Sequence, residues 1–166
     1  FAKLAPVLVV GDIGIDKYTL GEVSRISPEA PVPVLEVKKE WMKLGLAANV
    51  SDNLKSLEIE STLCGIVGDD RNAGELESLL EEHQLKTWGI LRDPTRHTTF
   101  KERLTTNVQQ ICRVDYESKG PIDPTNKKKL FQRIVEFSEG HSSVVIEDYG
   151  KGLFDEESCQ FVIKTF

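Results

Sequence analysis

The sequence predicts an α/β fold whose core is a mainly parallel sheet, and three observations lead to it. Short runs that are almost entirely apolar, such as residues 4–10, are typical of the doubly buried strands found in parallel sheets. These runs alternate with segments of helical apolar spacing, such as residues 47–57, as strand–helix–strand units do. A segment in which apolar and polar residues alternate, 17–39, interrupts this order. At 166 residues the chain is long enough for one domain with a hydrophobic core.

The pattern places each element along the chain. The predicted core strands comprise residues 4–10, 59–67, 85–91 and 143–146. The predicted helices comprise residues 47–57, 74–83 and 126–137, and a last helix begins near Asp155. A further pair of strands, 98–104 and 109–114, is predicted around a polar turn. The expected architecture therefore has three layers, with helices on both faces of the sheet.

The interrupting segment is predicted to form two or three exposed antiparallel strands. Gly21 and the Ser27-Pro28 pair are turn signals, and Pro31 and Pro33 restrict their strand to an edge or a strand start. This domain cannot bury both faces of such an insert, so the insert needs a lid role or a partner chain. We therefore expect a core of residues 1–16 and 40–166, with residues 17–39 as a β lid and dimer clasp.

Composition excludes several classes of partner. A formal net charge of −6 is unsuited to binding nucleic acid or an anionic membrane surface. No apolar run approaches the roughly 20 residues that a membrane-spanning helix needs. The three cysteines are far apart and odd in number, as expected of reduced thiols in a cytosol. We expect a cytoplasmic protein with neither a nucleic-acid nor a membrane partner.

Polar residues that follow the core strands are the candidate site, because ligands of open parallel sheets bind beyond the carboxyl ends of the strands. Asp12 and Asp16 follow the first strand, where a carboxylate can accept hydrogen bonds from polyol hydroxyls; the alternative is that Asp12 caps a turn. Gly45 and Asn49 lie near a predicted helix start, where free N–H groups favour anions. The alternative there is a tightly packed helix with an exposed Asn.

Two later segments carry cations. Lys101 and Arg103 share one face of a predicted strand and repel each other unless an anion such as a sugar phosphate lies between them; a solvated strand face is the alternative. Asp148 and Lys151 lie in a glycine-containing loop after the last core strand. That loop is suited either to a phosphate or metal-bound water or to a simple strand-to-helix turn.

The order of these motifs resembles that of the ribokinase-type (PfkB) carbohydrate kinases, and among them the D-β-D-heptose 7-phosphate kinases that supply ADP-heptose for lipopolysaccharide synthesis. The resemblance spans essentially the whole chain. It is most specific in the run Ser-Arg-Ile-Ser-Pro-Glu-Ala-Pro-Val-Pro-Val, residues 24–34. The other matching stretches are residues 9–18, 45–50, 65–69, 98–103, 113–115 and 148–152.

The resemblance implies a ribokinase-type fold and a kinase that uses Mg²⁺ and ATP to phosphorylate the anomeric hydroxyl of a heptose 7-phosphate. It implies a homodimer joined through the β lid. The substrate-binding residues that it implies are Asp12, Asp16, Gly45, Asn49, Lys101, Arg103, Asp115 and Asp148. Lys151 is a weaker candidate for cofactor binding.

The sequence departs from the family pattern in two ways. Leu46 stands where the second of two paired glycines is usual, and its side chain is expected to block close approach to the backbone or to stiffen the lid hinge. The later Gly-x-Gly-Asp segment, which carries the family's catalytic base, is not found, so the base is expected beyond the end of this chain. The expectation is the substrate-binding, amino-terminal half of a kinase. The alternatives are a non-catalytic sugar-phosphate-binding or dimerising module, and a remnant without a ligand.

Overall fold

A computed structural model describes residues 5–166, which form two four-stranded sheets and four helices. The first sheet contains β1 (Val7–Gly11), β4 (Ser61–Gly68), β5 (Gly89–Asp93) and β8 (Ser143–Glu147). The second contains β2 (Ile13–Ile26), β3 (Pro33–Leu46), β6 (Thr99–Thr105) and β7 (Gln110–Tyr116). The helices are α1 (Ala47–Ser56), α2 (Arg71–Glu82), α3 (Pro124–Ser138) and α4 (Glu156–Thr165). The predicted strand start at Leu4 lies outside the described residues.

The first sheet is parallel throughout, with strand order β5-β4-β1-β8. Leu8, Val9 and Val10 of β1 are all fully buried, which explains why this strand has no polar face. Val9 packs in one core cluster with Leu76 of α2, and its neighbours Leu8 and Val10 pack in a second cluster with Ile134 of α3. Helices therefore cover both faces of the sheet, and the predicted three-layer α/β fold is confirmed.

Aspartates determine where three of the helices begin. Asp70 accepts a hydrogen bond from the backbone N–H of Ala73, Asp123 accepts one from Thr125, and Asp155 accepts one from Ser158. Such N-caps contribute about 1 kcal/mol each. They explain why α2 and α3 begin two or three residues before the predicted starts, which were placed from apolar spacing alone.

The second sheet is larger than the predicted insert. Its strand order is β3-β2-β6-β7, in which β2 is antiparallel to β3 and parallel to β6. The strand pair predicted at 98–104 and 109–114 is present as β6 and β7, but the sequence did not show that it joins the β2–β3 hairpin. The division into a core and a 17–39 lid stays a prediction, and the hairpin strands extend beyond 17–39 at both ends.

One turn signal in the hairpin was wrong. Gly21 lies inside β2, next to a register shift between Leu20 and Gly21, rather than in a turn. A Cβ at Gly21 would lie 2.5 Å from the carbonyl oxygen of Glu36, so the glycine permits close backbone approach at a bulge. The turn itself lies between β2 and β3, and Pro33 opens β3 as expected of a strand-start proline.

Within residues 5–166, no helix is long and apolar enough to cross a membrane.

Candidate functional site

A cleft of about 470 Å³ lies where one face of the second sheet meets the start of α1 and the loop after β8. Four of its ten lining side chains are cationic and one is acidic, although the chain as a whole carries a net charge of −6. The cleft is therefore suited to an anionic ligand that also carries hydrogen-bonding groups. Its lining residues are Asp16, Tyr18, Lys43, Leu44, Leu46, Asn49, Lys101, Arg103, Arg113 and Tyr149.

One row of charged residues crosses the second sheet beside this cleft. Lys43 on β3 is paired with Asp16 on β2, which is paired with Lys101 on β6, which is paired with Asp115 on β7. The signs alternate along the row, so every cross-strand pair is attractive. Neither β2 nor β6 shows this order by itself, because it depends on the register of three strand pairs.

The next row combines aromatic rings with two arginines. Trp41 stacks on Tyr18 with ring centroids 5.2 Å apart, and the guanidinium of Arg103 lies 5.3 Å from the Tyr18 ring centroid. Arg103 also donates to Asp16 at 2.5 Å. Arg113 lies directly opposite Arg103, and like charges in this position repel each other. An anion bound between the two guanidinium groups would relieve that repulsion.

Glu117 connects three lysines and was missed by the sequence analysis. Its carboxylate lies 2.7 Å from Lys151, 2.9 Å from Lys101 and 3.1 Å from Lys119. Hydrogen bonds from Lys151 and Lys101 lower the pKa of Glu117 from 4.5 to about 2. Glu117 continues the two-residue alternation of Arg113 and Asp115 past the end of β7, and this was the signal available in the sequence.

Lys101 is largely engaged by acidic partners. Its ammonium group donates to Asp115 at 3.0 Å and to Glu117 at 2.9 Å, and its side chain is 13% exposed. Burial opposes the charged form of Lys101, but the hydrogen bonds to Glu117 and Asp115 outweigh burial and raise its pKa. Lys101 therefore lines the cleft as a permanently charged residue whose position is fixed.

Asp12 performs a structural task. It is 5% exposed, and its Oδ2 accepts hydrogen bonds from the backbone N–H groups of Tyr149 at 2.8 Å and Lys151 at 3.2 Å. Burial raises the pKa of Asp12, although both backbone hydrogen bonds oppose that effect. Asp12 thus fastens the loop after β8 to the end of β1. Its predicted substrate role stays a prediction, and its carboxylate does not line the cleft described above.

The loop after β8 contains two more of the predicted residues, Asp148 and Lys151. Asp148 is exposed, and its Oδ1 accepts a hydrogen bond from the N–H of Gly150 at 2.8 Å. The ammonium group of Lys151 points to Glu117. Gly150 and Gly152 have φ values of 67° and 84°, as a tight turn requires. Tyr149 is the residue of this loop that reaches the cleft, and the sequence analysis did not select it.

The junction of β3 and α1 forms one wall of the cleft. A Cβ at Gly45 would lie 3.2 Å from Oδ2 of Asp16, so the glycine leaves room for that carboxylate. Asn49 lies in the first turn of α1 and is exposed to the cleft. Leu46 has φ 56° and ψ −134°, a region that favours glycine and costs other residues about 1–3 kcal/mol.

The predicted residues thus fall into three groups. Asp16, Asn49, Lys101 and Arg103 line one cleft. Gly45 and Asp115 adjoin that cleft through Asp16 and Lys101. Asp12, Asp148 and Lys151 belong to the neighbouring loop and its anchor. The residues that sequence reasoning did not select, besides Glu117, are Tyr18, Lys43, Arg113 and Tyr149.

The described residues do not fit a metal centre. From Ala5 to Phe166, no group of three or more histidine, cysteine or acidic residues is arranged to hold a metal ion. Carboxylates near the cleft are hydrogen-bonded to lysine or arginine, as Asp16 is to Arg103 and Asp115 to Lys101.

Comparison with known proteins assigns the chain that forms this cleft to a family. The family profile described as pfkB family carbohydrate kinase matches residues 7–153. The chain belongs to the pfkB family of carbohydrate kinases. The profile match covers the cleft, the second sheet and the loop after β8, and the resemblance found in the sequence is confirmed.

Two curated relatives of this pfkB-family chain are both bifunctional HldE proteins. The protein from Helicobacter pylori strain G27 is 48% identical over 95% of the chain, and the protein from Wolinella succinogenes is 42% identical over 95%. The aligned region is 34% and 33% of those proteins, respectively. The chain therefore spans about a third of the length of the curated relatives it matches.

Solved structures show the same fold at low identity. A putative phosphofructokinase from Staphylococcus aureus aligns with TM-score 0.73 and 18% identity over 96% of this chain and 49% of its own. Phosphofructokinase-2 from Escherichia coli, in complex with fructose-6-phosphate, aligns with TM-score 0.71 and 14% identity over 97% and 51%. These likenesses establish the ribokinase-like fold of this pfkB-family chain.

Proposed function

We propose that this chain is the substrate-binding part of a heptose 7-phosphate kinase that phosphorylates the anomeric hydroxyl in the synthesis of ADP-heptose and lipopolysaccharide. The observation that carries the proposal is the cleft in which Lys43, Lys101, Arg103 and Arg113 surround one carboxylate, Asp16. An excess of cations suits a phosphate, and Asp16 and Asn49 suit hydroxyls. Similarity to the bifunctional HldE proteins supports the choice of a heptose phosphate as ligand.

Two of the four cations are the best candidates for contact with phosphate. Lys43 is exposed, and its ammonium group lies 5.9 Å from the centroid of the Tyr18 ring. Arg113 is 49% exposed, and its Nε donates to Asp115 at 2.8 Å. Lys101 and Arg103 are more buried and are held by acidic neighbours, so their part is to set the positive potential and position Asp16.

In the proposed complete kinase, Mg²⁺ and ATP supply the phosphoryl group, and residues outside those described here bind them and provide the base. The residues described here hold the sugar phosphate. The loop anchored by Asp12 brings Tyr149 to the edge of the cleft, and the second sheet supplies its charged floor.

The proposal is tested by titration calorimetry of the chain with D-glycero-D-manno-heptose 7-phosphate and with the same heptose lacking phosphate. Lys43→Ala is expected to weaken binding of the phosphorylated sugar about tenfold, as loss of a charge-assisted hydrogen bond does, and to leave the unphosphorylated sugar nearly unchanged. Lys101→Ala and Arg103→Ala are expected to show the same preference with smaller losses, because acidic neighbours already engage these two cations. Lys128→Ala removes an exposed charge on α3 and is the matched control.

Three results would contradict the proposal. Equal losses for both sugars in Lys43→Ala, Lys101→Ala and Arg103→Ala would remove the phosphate assignment. Absence of binding of the phosphorylated heptose by the unmodified chain would remove the proposed substrate. A loss in Lys128→Ala equal to that in Lys43→Ala would show that net charge, rather than the cleft, is responsible.

We also propose that the protein is cytoplasmic and forms a homodimer through the β lid, residues 17–39, and the second sheet to which the lid belongs. The face of this sheet away from the cleft carries exposed apolar side chains, among them Val37 at 53% and Tyr116 at 48%. A second copy of the same face would cover them. Val37→Lys is expected to shift the mass in sedimentation equilibrium from dimer to monomer, and a monomeric unmodified chain would overturn this part of the proposal.

A further inference from the structure

Leu46 has a backbone conformation that its residue type disfavours. It ends β3 and precedes α1, with φ 56° and ψ −134°. Glu58 and Gln84 also have positive φ, but they follow the C-terminal ends of α1 and α2, where left-handed residues are common. Leu46 is instead at a strand-to-helix junction beside the cleft, where a glycine would be free of strain.

The neighbouring backbone and side chains determine the backbone conformation of this junction, irrespective of the side chain at position 46. The N–H of Ala47 donates to the carbonyl oxygen of Asp12 at 3.0 Å, and Ala47 and Ala48 are both fully buried. A Cβ at Gly11 would lie 2.9 Å from Cβ of Ala47, which shows how closely α1 approaches β1. The chain therefore has to turn sharply at Leu46, and the presence of leucine needs a reason of its own.

Core packing does not supply that reason. Leu44, two residues earlier, is 3% exposed and belongs to a core cluster. Leu46 is partly exposed and belongs to neither of the two core clusters formed by the described residues. Its Cδ1 lies 3.2 Å from the place where a Cβ at Gly14 would stand, so its side chain covers the space above Gly14. Gly14 is two residues before Asp16 on the same face of β2.

We propose that Leu46 is a specificity-determining residue that closes the α1 end of the cleft and limits the size of the phosphorylated sugar it accepts. The inference rests on the proposed function, since it assumes that a sugar phosphate occupies this cleft. Leu46 stands among groups that bind hydroxyls, Asp16 and Asn49, yet its side chain offers no hydrogen bond. It excludes volume, and a sugar one hydroxymethylene unit longer than a heptose 7-phosphate would meet its methyl groups at this end of the cleft.

The test compares two ligands and three variants by calorimetry. D-glycero-D-manno-heptose 7-phosphate and an octose 8-phosphate of the same ring configuration differ by one hydroxymethylene unit. Leu46→Ala and Leu46→Gly are both expected to improve binding of the octose relative to the heptose by about fivefold or more, the scale of one such group in a pocket. Leu57→Gly is the matched control, because Leu57 lies at the other end of α1, is 69% exposed and has φ −92°.

Thermal unfolding separates the effect of the Leu46 side chain on ligand preference from the effect of its backbone conformation on stability. Leu46→Gly is expected to unfold at a higher temperature than Leu46→Ala, because only glycine relieves the positive φ, while both variants shift the ligand preference. If both variants bind both sugars and their ligand preference is unchanged, the proposed role of Leu46 is overturned, and the proposed function is not affected. Failure of every variant to bind either sugar phosphate would overturn the proposed function and this inference with it. An equal shift in Leu57→Gly would also overturn the inference.

Discussion

The two sheets of this protein differ in what their side chains do. The first sheet is parallel, covered by helices on both faces and formed by strands such as β4, in which all eight residues are buried. The second sheet carries ion pairs on both faces, Lys17 with Glu40 and Glu102 on one and Arg103 with Asp16 on the other. Apolar burial dominates folding, so we expect stability to be concentrated in the first sheet, while the residues proposed to bind the ligand lie mainly in the second.

The largest expected effect of a substitution is in the first sheet. Leu63 of β4 is 1% exposed and packs in a core cluster, so Leu63→Ala is expected to lower the free energy of unfolding by about 2–5 kcal/mol. Val114→Ala in the second sheet, where the side chain is 36% exposed, is expected to lower it by less than about 1 kcal/mol. Urea unfolding followed by circular dichroism measures both. Equal losses would show that the two sheets share stability evenly.

The first sheet was predictable from the sequence and the second only in part. Leu8, Val9 and Val10 form an apolar run that fits a strand buried on both faces, whatever its neighbours are. The pairing of β2 with β3 contains register shifts next to Gly21 and Arg25. The pairing of β2 with β6 joins distant parts of the chain, since Thr19 and Glu102, which are hydrogen-bonded, are 83 residues apart in sequence. Local patterns contain no information on such long-range pairings.

The next effect concerns the link between the sheets. Glu117 follows β7 of the second sheet and binds Lys151, which follows β8 of the first. Glu117→Gln is expected to cost about 2 kcal/mol, because it removes charge-assisted hydrogen bonds to Lys101 and Lys151. Glu75→Gln on α2 is the matched control, since Glu75 pairs with Arg71 at 3.6 Å on the surface and such pairs contribute little.

The stability difference between the unmodified chain and Glu117→Gln is expected to depend on pH. The pKa of Glu117 is lowered in the folded protein from 4.5 to about 2. The carboxylate therefore makes its full contribution to stability above pH 4.5. As the pH falls from 4.5 toward 2, the carboxylate becomes protonated and the contribution is lost. The difference in unfolding free energy between the unmodified chain and Glu117→Gln should therefore shrink over that range. A difference that is constant from pH 7 to pH 3 would contradict the charge-based explanation.

The candidate site shows the same division between local and long-range information. Asp16 and Asn49 were predictable because they follow a strand end and a helix start, and Lys101 and Arg103 because they alternate on one strand. Lys43 was missed because its place opposite Asp16 depends on the β2–β3 register. Asp12 has the backbone-binding role that was the alternative to a substrate role, since a buried carboxylate satisfies N–H groups across the sheet end.

The smallest effect on stability is expected for Arg113→Gln, which tests whether the second sheet binds the ligand. Arg113 lies opposite Arg103, so Arg113→Gln removes a repulsion together with an exposed pair to Asp115, and the free energy of unfolding should change by less than about 0.5 kcal/mol. Affinity for the phosphorylated heptose should nevertheless fall about threefold to tenfold, because a charge-assisted contact is lost. A variant that loses stability but keeps affinity would reverse the assignment: Arg113 would then support the sheet, and the ligand would lie elsewhere. Calorimetry and urea unfolding of the same sample decide between the two outcomes, because only a recognition residue changes affinity while leaving stability intact.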